Sequence, residues 1–401
     1  MLAMAWHYKS ALIETIDFDR AERFFSKIEL LFDERSFSFF KERFTDRLNQ
    51  AYQVHPELRS ENLSTQISSS TFVSLISTPP AHWPTQWRNI EHEALTVFSC
   101  WPEAWAYYQL WKLHNKYLST SGLLSQGKAA NLTNAEHAYQ DELIKDISST
   151  NAFYHTLHCD YPMTLVDAIV MVNLSTLVLE QKWYEILYSL DQSQSGTHFL
   201  LTTQTLGCDY PTLVSSAKVQ ESGQANDWLY FSPFFQTKKW KNIGDPDQLT
   251  QLEQDYLTDS ISPLRQQSTK QFDSMLWSNL SMPEQSCEII RLTVSGTTAQ
   301  RLFFLYLAQK RLMQQLHDAE FNIAFVIIEQ PLMIQYYASL PSDVYLPLSS
   351  CQLSGSDHPT YKGVWNIARL SAEFSASNFR SYKQQTVYQM KRVRRKELNH
   401  A

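Results

Sequence analysis

The sequence predicts an α+β fold, a mixed sheet flanked by helices and preceded by a mainly α-helical N-terminal half. In residues 1–150 apolar side chains recur three and four positions apart, the period of a helix face. From about residue 150 short β-type runs alternate with helical segments, as in a sheet covered on its faces. The composition, 43% hydrophobic and 19% charged over 401 residues, excludes a disordered chain and a coiled-coil rod. The expected organisation is a helical region over 1–150, a sheet domain over 151–379 and a basic C-terminal tail over 380–401.

In the helical half, Asp17 or Asp19 can cap a segment carrying Phe24, Ile28, Leu31 and Phe32, and the pattern resumes with Phe40, Phe44, Leu48 and Tyr52. A Ser/Thr/Pro-rich connector is expected over 60–86, then a helix from about Pro102 with Ala104, Tyr108, Trp111 and Leu118 on one face. Further on, Phe199 to Leu206 reads as a strand, and Asp209-Tyr-Pro211 as the opening of a helix. Glu288 to Val294 reads as a second strand and Ala299 to Leu316 as an amphipathic helix. Ile323 to Ile328, apolar on both faces, reads as a central strand. Pro331 starts a short helix to about Leu340, and the last strands fall between Tyr345 and Arg369. The repeated Cys159-Asp-Tyr-Pro162 and Cys208-Asp-Tyr-Pro211 read as one helix-opening device used twice.

Glycine is scarce, 9 residues in 401, so neither a G-x-G-x-x-G dinucleotide loop nor a G-x-S-x-G nucleophile elbow can be written. Gly122 to Ala129 has phosphate-loop spacing but puts Ala129 where a Mg²⁺-binding hydroxyl is needed. Five scattered cysteines, without a C-x-x-C pair, suit a reducing compartment, and the start lacks the features of a secretory signal. The stretch Leu165 to Leu179 is interrupted by Asp167 and Asn173 and too short to span a bilayer, so the expected location is cytoplasmic with no membrane insertion. His155-x-x-His158-Cys159 has metal-type residues without a companion cluster, and no metal is expected. The net charge of −7 hides a tail in which Arg380, Lys383, Lys391, Arg392, Arg394, Arg395 and Lys396 face Glu397 alone. With an acidic body before it, this argues against nucleic acid.

The order strand, Pro-led helix, long connection, strand with an acid and an arginine three apart, amphipathic helix, fully apolar strand, short helix resembles the GNAT class of acyltransferases. More closely, the chain resembles the acyl-homoserine-lactone synthases, in particular their LuxM/AinS branch. Thr197 to Leu213 is similar to that family's Leu-Leu-x-Thr-Thr strand and following proline, and Cys287 to Val294 to its Glu-x-x-Arg strand. The arginine that the shorter synthases place just before the first strand is here His198 or Phe199, and their Glu-x-Ser-Arg reads Glu288-Ile-Ile290-Arg291, without the serine. The resemblance implies a GNAT-like sheet domain and a quorum-sensing product. An acyl thioester is joined to the amino group of S-adenosylmethionine, and the methionine carboxylate then displaces methylthioadenosine to close a lactone. S-adenosylmethionine is a substrate here, and no separate cofactor is expected.

An α-amino group is largely protonated at neutral pH, so a carboxylate is wanted to take its proton, and Glu288 is the candidate. Arg291 is the candidate fork for the substrate carboxylate. Residues three apart on a regular strand point to opposite faces, so a β-bulge is expected between Glu288 and Thr293, freeing backbone N–H groups for the thioester oxyanion. Thr202 and Thr203 are further substrate-binding candidates. Trp183, Tyr184 or Trp228 could stack on adenine, and the acyl chain could lie along Phe325, Ile327, Met333 and Ile334. Without a pyrophosphate loop for coenzyme A, an acyl carrier protein becomes the favoured donor over acyl-CoA, landing on Lys238, Lys239 and Lys241 or on the basic tail. Two alternatives stay open at this level: an acyltransferase for another amine, and a non-catalytic helical interaction protein.

Overall fold

The computed structural model describes residues 17–33, 36–77, 84–118, 132–204, 208–261, 267–341, 343–353 and 358–400. The segment Gly122 to Ala129 and the start of the chain lie outside the described residues. The chain divides into two compact units. The first comprises residues 1–131, 147–195 and 203–213, and the second residues 132–146, 196–202 and 214–401.

The first unit holds helices α1 (Phe18–Phe32), α2 (Ser36–Val54), α3 (Leu63–Ser68), α4 (Ser70–Ser77), α5 (Thr85–Val97), α6 (Trp101–Leu118) and α7 (Leu165–Asn173). Asp17 caps α1, its carboxylate accepting the Arg20 N–H at 3.0 Å, and Phe24 and Ile28 are buried as their spacing predicts. Phe24, Phe25, Phe40, Phe98 and Tyr108 form a ring cluster, and α6 is buried almost all round from Trp101 to Trp111. A buried ion pair joins α2 to α5, with Arg47 reaching both Glu91 oxygens at 2.8 and 2.5 Å. The expected connector is in part helical, because Asn62 caps α3 through the Thr65 N–H.

The described strands are β1 (Tyr139–Ile144), β2 (Phe153–Thr156), β3 (Cys159–Thr164), β4 (His198–Thr203), β5 (Thr212–Glu221), β6 (Lys241–Asn242), β7 (Ser286–Val294), β8 (Ile323–Ile328), β9 (Tyr345–Cys351) and β10 (Thr360–Asn366). Two expectations are corrected here. A strand, β1, falls inside the first 150 residues, and Asp209-Tyr-Pro211 opens strand β5 instead of a helix. The first Asp-Tyr-Pro lies within β3, in a hairpin with β2, and α7 begins only after Thr164. Neither copy therefore opens a helix directly. Proline is tolerated in β3 because, among the described residues, that strand pairs with β2 alone.

The sheet runs β1-β4-β5-β7-β8-β10-β9-β6. β7 and β8 are parallel, while the β5–β7, β8–β10, β10–β9 and β9–β6 pairs are antiparallel. The sheet is therefore mixed and mostly antiparallel, with β8 between β7 and β10 as its apolarity on both faces predicts. Helices α10 (Thr298–Asp318), α11 (Pro331–Tyr337), α12 (Ile367–Ala376) and α13 (Phe379–His400) contribute to the core on one face, which takes Cys287 and Ile289 from β7 and Ala324, Val326 and Ile328 from β8. A capping box of Thr297 and Gln300 starts α10, and Tyr382 roots α13 against Tyr306 and Tyr336. Ile323 and Phe325 alternate to the other face. There they meet Trp228 and Tyr230 of a run of 3-10 turns, with Leu249 and Leu252 of α8 (Pro246–Tyr256) and Phe272 and Leu276 of α9 (Thr269–Ser278). Gly363 sits where a Cβ would stand 2.4 Å from the Leu346 carbonyl oxygen, so only glycine lets β10 approach β9 there.

Candidate active site

The site is built on β7. Cys287 and Ile289 enter the core on the helix-covered face, and Leu292 and Val294 pack against the same core. An unbroken strand could not do this, since 289 and 292 differ by an odd number. The break is visible in the register. Lys218 of β5 pairs with Ile290 and Ser216 with Thr293, so Arg291 and Leu292 together oppose the single residue Ala217. Arg291 takes the left-handed backbone conformation, φ 56°, which disfavours every residue except glycine and a few polar ones. The expected bulge is therefore present, centred on the arginine.

β7 also leaves its neighbour. Its pairing with β8 runs from Ser286↔Ile323 to Ile289↔Val326 and ends, although β7 continues to Val294 and β8 to Ile328. The strands part at the position of the bulge.

Glu288, fully buried, lies on the face opposite Cys287 and Ile289. Its carboxylate accepts the Leu229 N–H at 2.9 Å and the Tyr230 N–H at 2.5 Å. Burial pushes it up to about 8; the two N–H groups and the Lys362 charge act the other way without prevailing. Lys362 of β10 is equally buried. Its Nζ lies 2.5 Å from Asp273 Oδ2 of α9, 3.2 Å from the Phe235 carbonyl oxygen and 4.1 Å from the centre of the Tyr230 ring. Burial moves Asp273 up to about 6 and Lys362 down, each opposed by the other's charge. Asp273 Oδ1, the Tyr230 hydroxyl and Oε1 of Gln220, the cross-strand partner of Glu288, are buried without hydrogen-bond partners.

A second group lies where β4, β5 and β7 adjoin. His198 is buried and pushed down to about 4, first by burial and then by the charges of Lys218 and Arg291; the Gly196 carbonyl and Asp146 act the other way. Its Nδ1 is 3.1 Å from the Gly196 carbonyl oxygen.

Of the other expected residues, Phe325 is buried on the Glu288 face among Trp228, Tyr230, Phe231 and Trp277, with Ile327 partly buried beside the same core. Met333 is not brought to them, since it packs into the helix-covered core with Val326 and Ile328. Beside its neighbour Ile334 lies a cavity of about 360 Å³, walled also by Tyr337, Leu340, Tyr345 and Tyr361. Thr202 is half-buried on β4. Thr203 and Trp183 belong to the first unit, Thr203 buried and Trp183 half-buried. Lys238, Lys239 and Lys241 are exposed just after the turns that supply the Glu288 N–H donors, and Arg380, Lys383 and Lys391 are exposed on α13. His155 and His158 lie in or beside the β2–β3 hairpin, and among the described residues no three metal-ligating side chains gather. Lys218, Lys362, Asp273, Tyr230 and Gln220 were not anticipated. The available signal was a lone lysine inside each of two otherwise uncharged strand runs, Thr212 to Gln220 and Thr360 to Asn366.

The chain is an enzyme, an acyl-transferring synthase. The chain is a member of the acyl homoserine lactone synthase family, whose sequence profile matches residues 18–396. It is similar to the acyl-homoserine-lactone synthase OpaM of Vibrio parahaemolyticus, 33% identical over 336 residues that cover 82% of each chain. It is also similar to the acyl-homoserine-lactone synthases LuxM of Vibrio atlanticus, 31% identical over 338 residues (84% of this chain and 85% of that one), and LuxM of Vibrio harveyi, 31% over 337 residues (84% of each). No solved structure matches the chain. No described helix is long and apolar enough to cross a membrane.

Proposed function

We propose that the chain makes an N-acyl-homoserine lactone signal from S-adenosylmethionine and an acyl thioester. The amine nitrogen attacks the thioester carbonyl carbon, the C–S bond breaks, and the donor leaves as a thiol. The amine proton passes, directly or through a water, to Glu288 and on to the departing sulfur. The substrate carboxylate, held by Arg291, then attacks the carbon bonded to the sulfonium, and neutral methylthioadenosine leaves as the ring closes.

The observation that carries this reading is the parting of β7 from β8 beside the Arg291 bulge. Past Ile289 and Val326 the ladder between the two strands is open, and an acyl thioester aligned there would find backbone N–H groups for its developing oxyanion. The same feature supports a GNAT-like reading of the sheet. Glu288 fits the role of base because its proton affinity is raised toward that of the amine it must serve. For the acyl chain, the cavity beside Ile334 offers room, whereas the space around Phe325 and Ile327 is filled by rings. The exposed Lys238, Lys239 and Lys241 suit an acidic acyl carrier protein as donor. Five scattered cysteines without a C-x-x-C pair fit a cytoplasmic setting.

The test is incubation with S-adenosylmethionine and acylated carrier protein, followed by mass spectrometry. Equal amounts of methylthioadenosine and acyl lactone are expected. Carrier deacylation dependent on a different amine, without methylthioadenosine, would overturn the reading.

A further inference from the structure

Glu288 accepts two hydrogen bonds from one stretch of chain, the 3-10 turns that carry Leu229 and Tyr230. Lys362 ties that stretch down. From β10 its ammonium lies 4.1 Å from the centre of the Tyr230 ring and 6.0 Å from that of Trp240, and it donates to the Phe235 carbonyl oxygen at 3.2 Å. Asp273 of α9 holds the same ammonium at 2.5 Å, and solvent reaches neither side chain. The register sets Lys362 on the face of Glu288. Glu288 pairs with Phe325 of β8, Phe325 with Val364 of β10, and Lys362 with Ile327, two residues further along β8. Residues two apart share a face, so both side chains enter the same layer. Ile327 lies just past Val326, where β7 has left the ladder, so the lysine is displaced from Glu288 toward the parting of the strands.

A buried ion pair gains little over apolar side chains of the same volume, so packing does not call for an ammonium here. The other groups around Glu288 carry no charge into its layer. Burial pushes the Tyr230 phenol and the Cys287 thiol far up and keeps both neutral. Gln220 and Phe325, opposite Glu288 on β5 and β8, do not titrate, and Glu221, opposite Cys287, is exposed. Of the Lys362–Asp273 pair it is the lysine whose charge acts on Glu288, in favour of the carboxylate. We propose that Lys362 is a positioning residue for Glu288, clamping the turn that supplies its N–H donors and setting a positive charge beside it. This rests on the proposed reaction, in which Glu288 takes the amine proton. Without Lys362 the base stays protonated to higher pH. Loss of the charge and slack in the two N–H donors act in the same direction, since each of them favours the carboxylate.

Two readouts on the full chain test this. The pH profile of kcat/KM reports the base of the free enzyme, and the substrate amine, which titrates in the same range, is common to every variant. Infrared titration without substrate follows the carbonyl stretch of protonated Glu288, recognised as the band that Glu288→Gln removes. In Lys362→Met both midpoints are expected to rise by about one pH unit, with an about tenfold loss of kcat/KM on the limb below them. Lys362→Met combined with Asp273→Leu strands no acid, so it is the variant that keeps the fold. Its midpoints are expected to move the same way by less, because the opposing acid leaves with the lysine. Midpoints at their wild-type values in the double variant would overturn the positioning role and leave the reaction standing. A wild-type chain that releases no methylthioadenosine would overturn the reaction, and the infrared titration then still decides whether Lys362 acts on Glu288.

Discussion

Glu288→Gln separates a buried acid that works from one that only anchors a loop. In the folded chain the carboxyl is held up to about 8, against 4.5 for the free side chain, and burial is the main cause. Below pH 4.5 the group is neutral in both folded and unfolded chains and has no effect on their balance. As pH rises from there the unfolded chain ionises and the folded chain does not, so stability falls by about 1.4 kcal/mol for each pH unit. The loss stops near pH 8, where the folded carboxyl ionises too, and by then amounts to about 5 kcal/mol. Glutamine cannot ionise, so the stability gap between Glu288→Gln and wild type must shift in the variant's favour between pH 5 and 8. Glutamine also turns one amide N–H₂ toward the Leu229 or Tyr230 N–H, an offset of about 1–3 kcal/mol that does not vary with pH. Urea unfolding of both proteins at pH 5, 6.5 and 8 measures the shift. Over the same range wild-type kcat/KM should rise with pH, and turnover of the variant should drop by about a hundredfold or more. A gap constant across pH would refute the raised proton affinity, and wild-type turnover in Glu288→Gln would refute the role of base.

Arg291→Gly relieves the left-handed backbone that Arg291→Ala retains, so after the entropy of glycine the Gly variant should be the more stable by about 1 kcal/mol, while both lose about a hundredfold or more in turnover. Equal unfolding midpoints would count against strain at the bulge. Lys362→Met leaves Asp273 buried without its cation and should cost about 3–5 kcal/mol in urea unfolding, whereas Lys362→Met with Asp273→Leu should recover most of it. Gly363→Ala drives a methyl against the Leu346 carbonyl and should cost about 2 kcal/mol or more, read as faster amide exchange along β9 and β10. In the first unit, Arg47→Met should destabilise by about 3–5 kcal/mol by stranding Glu91.

The parts legible in the sequence were those whose physics is local. Phe24 and Ile28 repeat at helical spacing, Ala299 to Leu316 carries the period of α10, and β8 is an unbroken apolar run. The acid and arginine of β7 were singled out by the resemblance to a Glu-x-x-Arg strand; their spacing conflicts with a regular strand, and the bulge resolves that conflict. β5 was misread because Asp209-Tyr-Pro211 is a fair helix opener taken alone. The residues after it, with Thr212, Val214 and Val219, carry no helical period and gain more by pairing with β7. β1 was missed because only Tyr139 of its six residues is buried, so the alternation that marks a strand is faint. Lys218, Lys362 and Asp273 were out of reach for another reason. Asp273 and Lys362 are 89 positions apart, and Lys218 meets Ile290 only once the strand order is known.

The energetics of β7 bear on whether its acid and arginine are merely structural. If position 291 served only the bulge, glycine would adopt φ 56° without the 1–2 kcal/mol that a side chain adds there. If position 288 served only to accept two loop N–H groups, an acid with so raised a proton affinity would be a poor choice above pH 5, because its benefit declines as the solvent becomes more alkaline. Each feature alone admits a structural account. Their occurrence three residues apart, at the point where the ladder to β8 ends, does not follow from packing, since neither the bulge nor the buried carboxyl requires the other. A reaction that must remove a proton from an amine and hold a carboxylate a few bonds away requires both at once. That is why the pair is the place to look for chemistry, and why Arg291→Gly, set against Arg291→Ala, and Glu288→Gln, near pH 8, should show stability gained where function is lost.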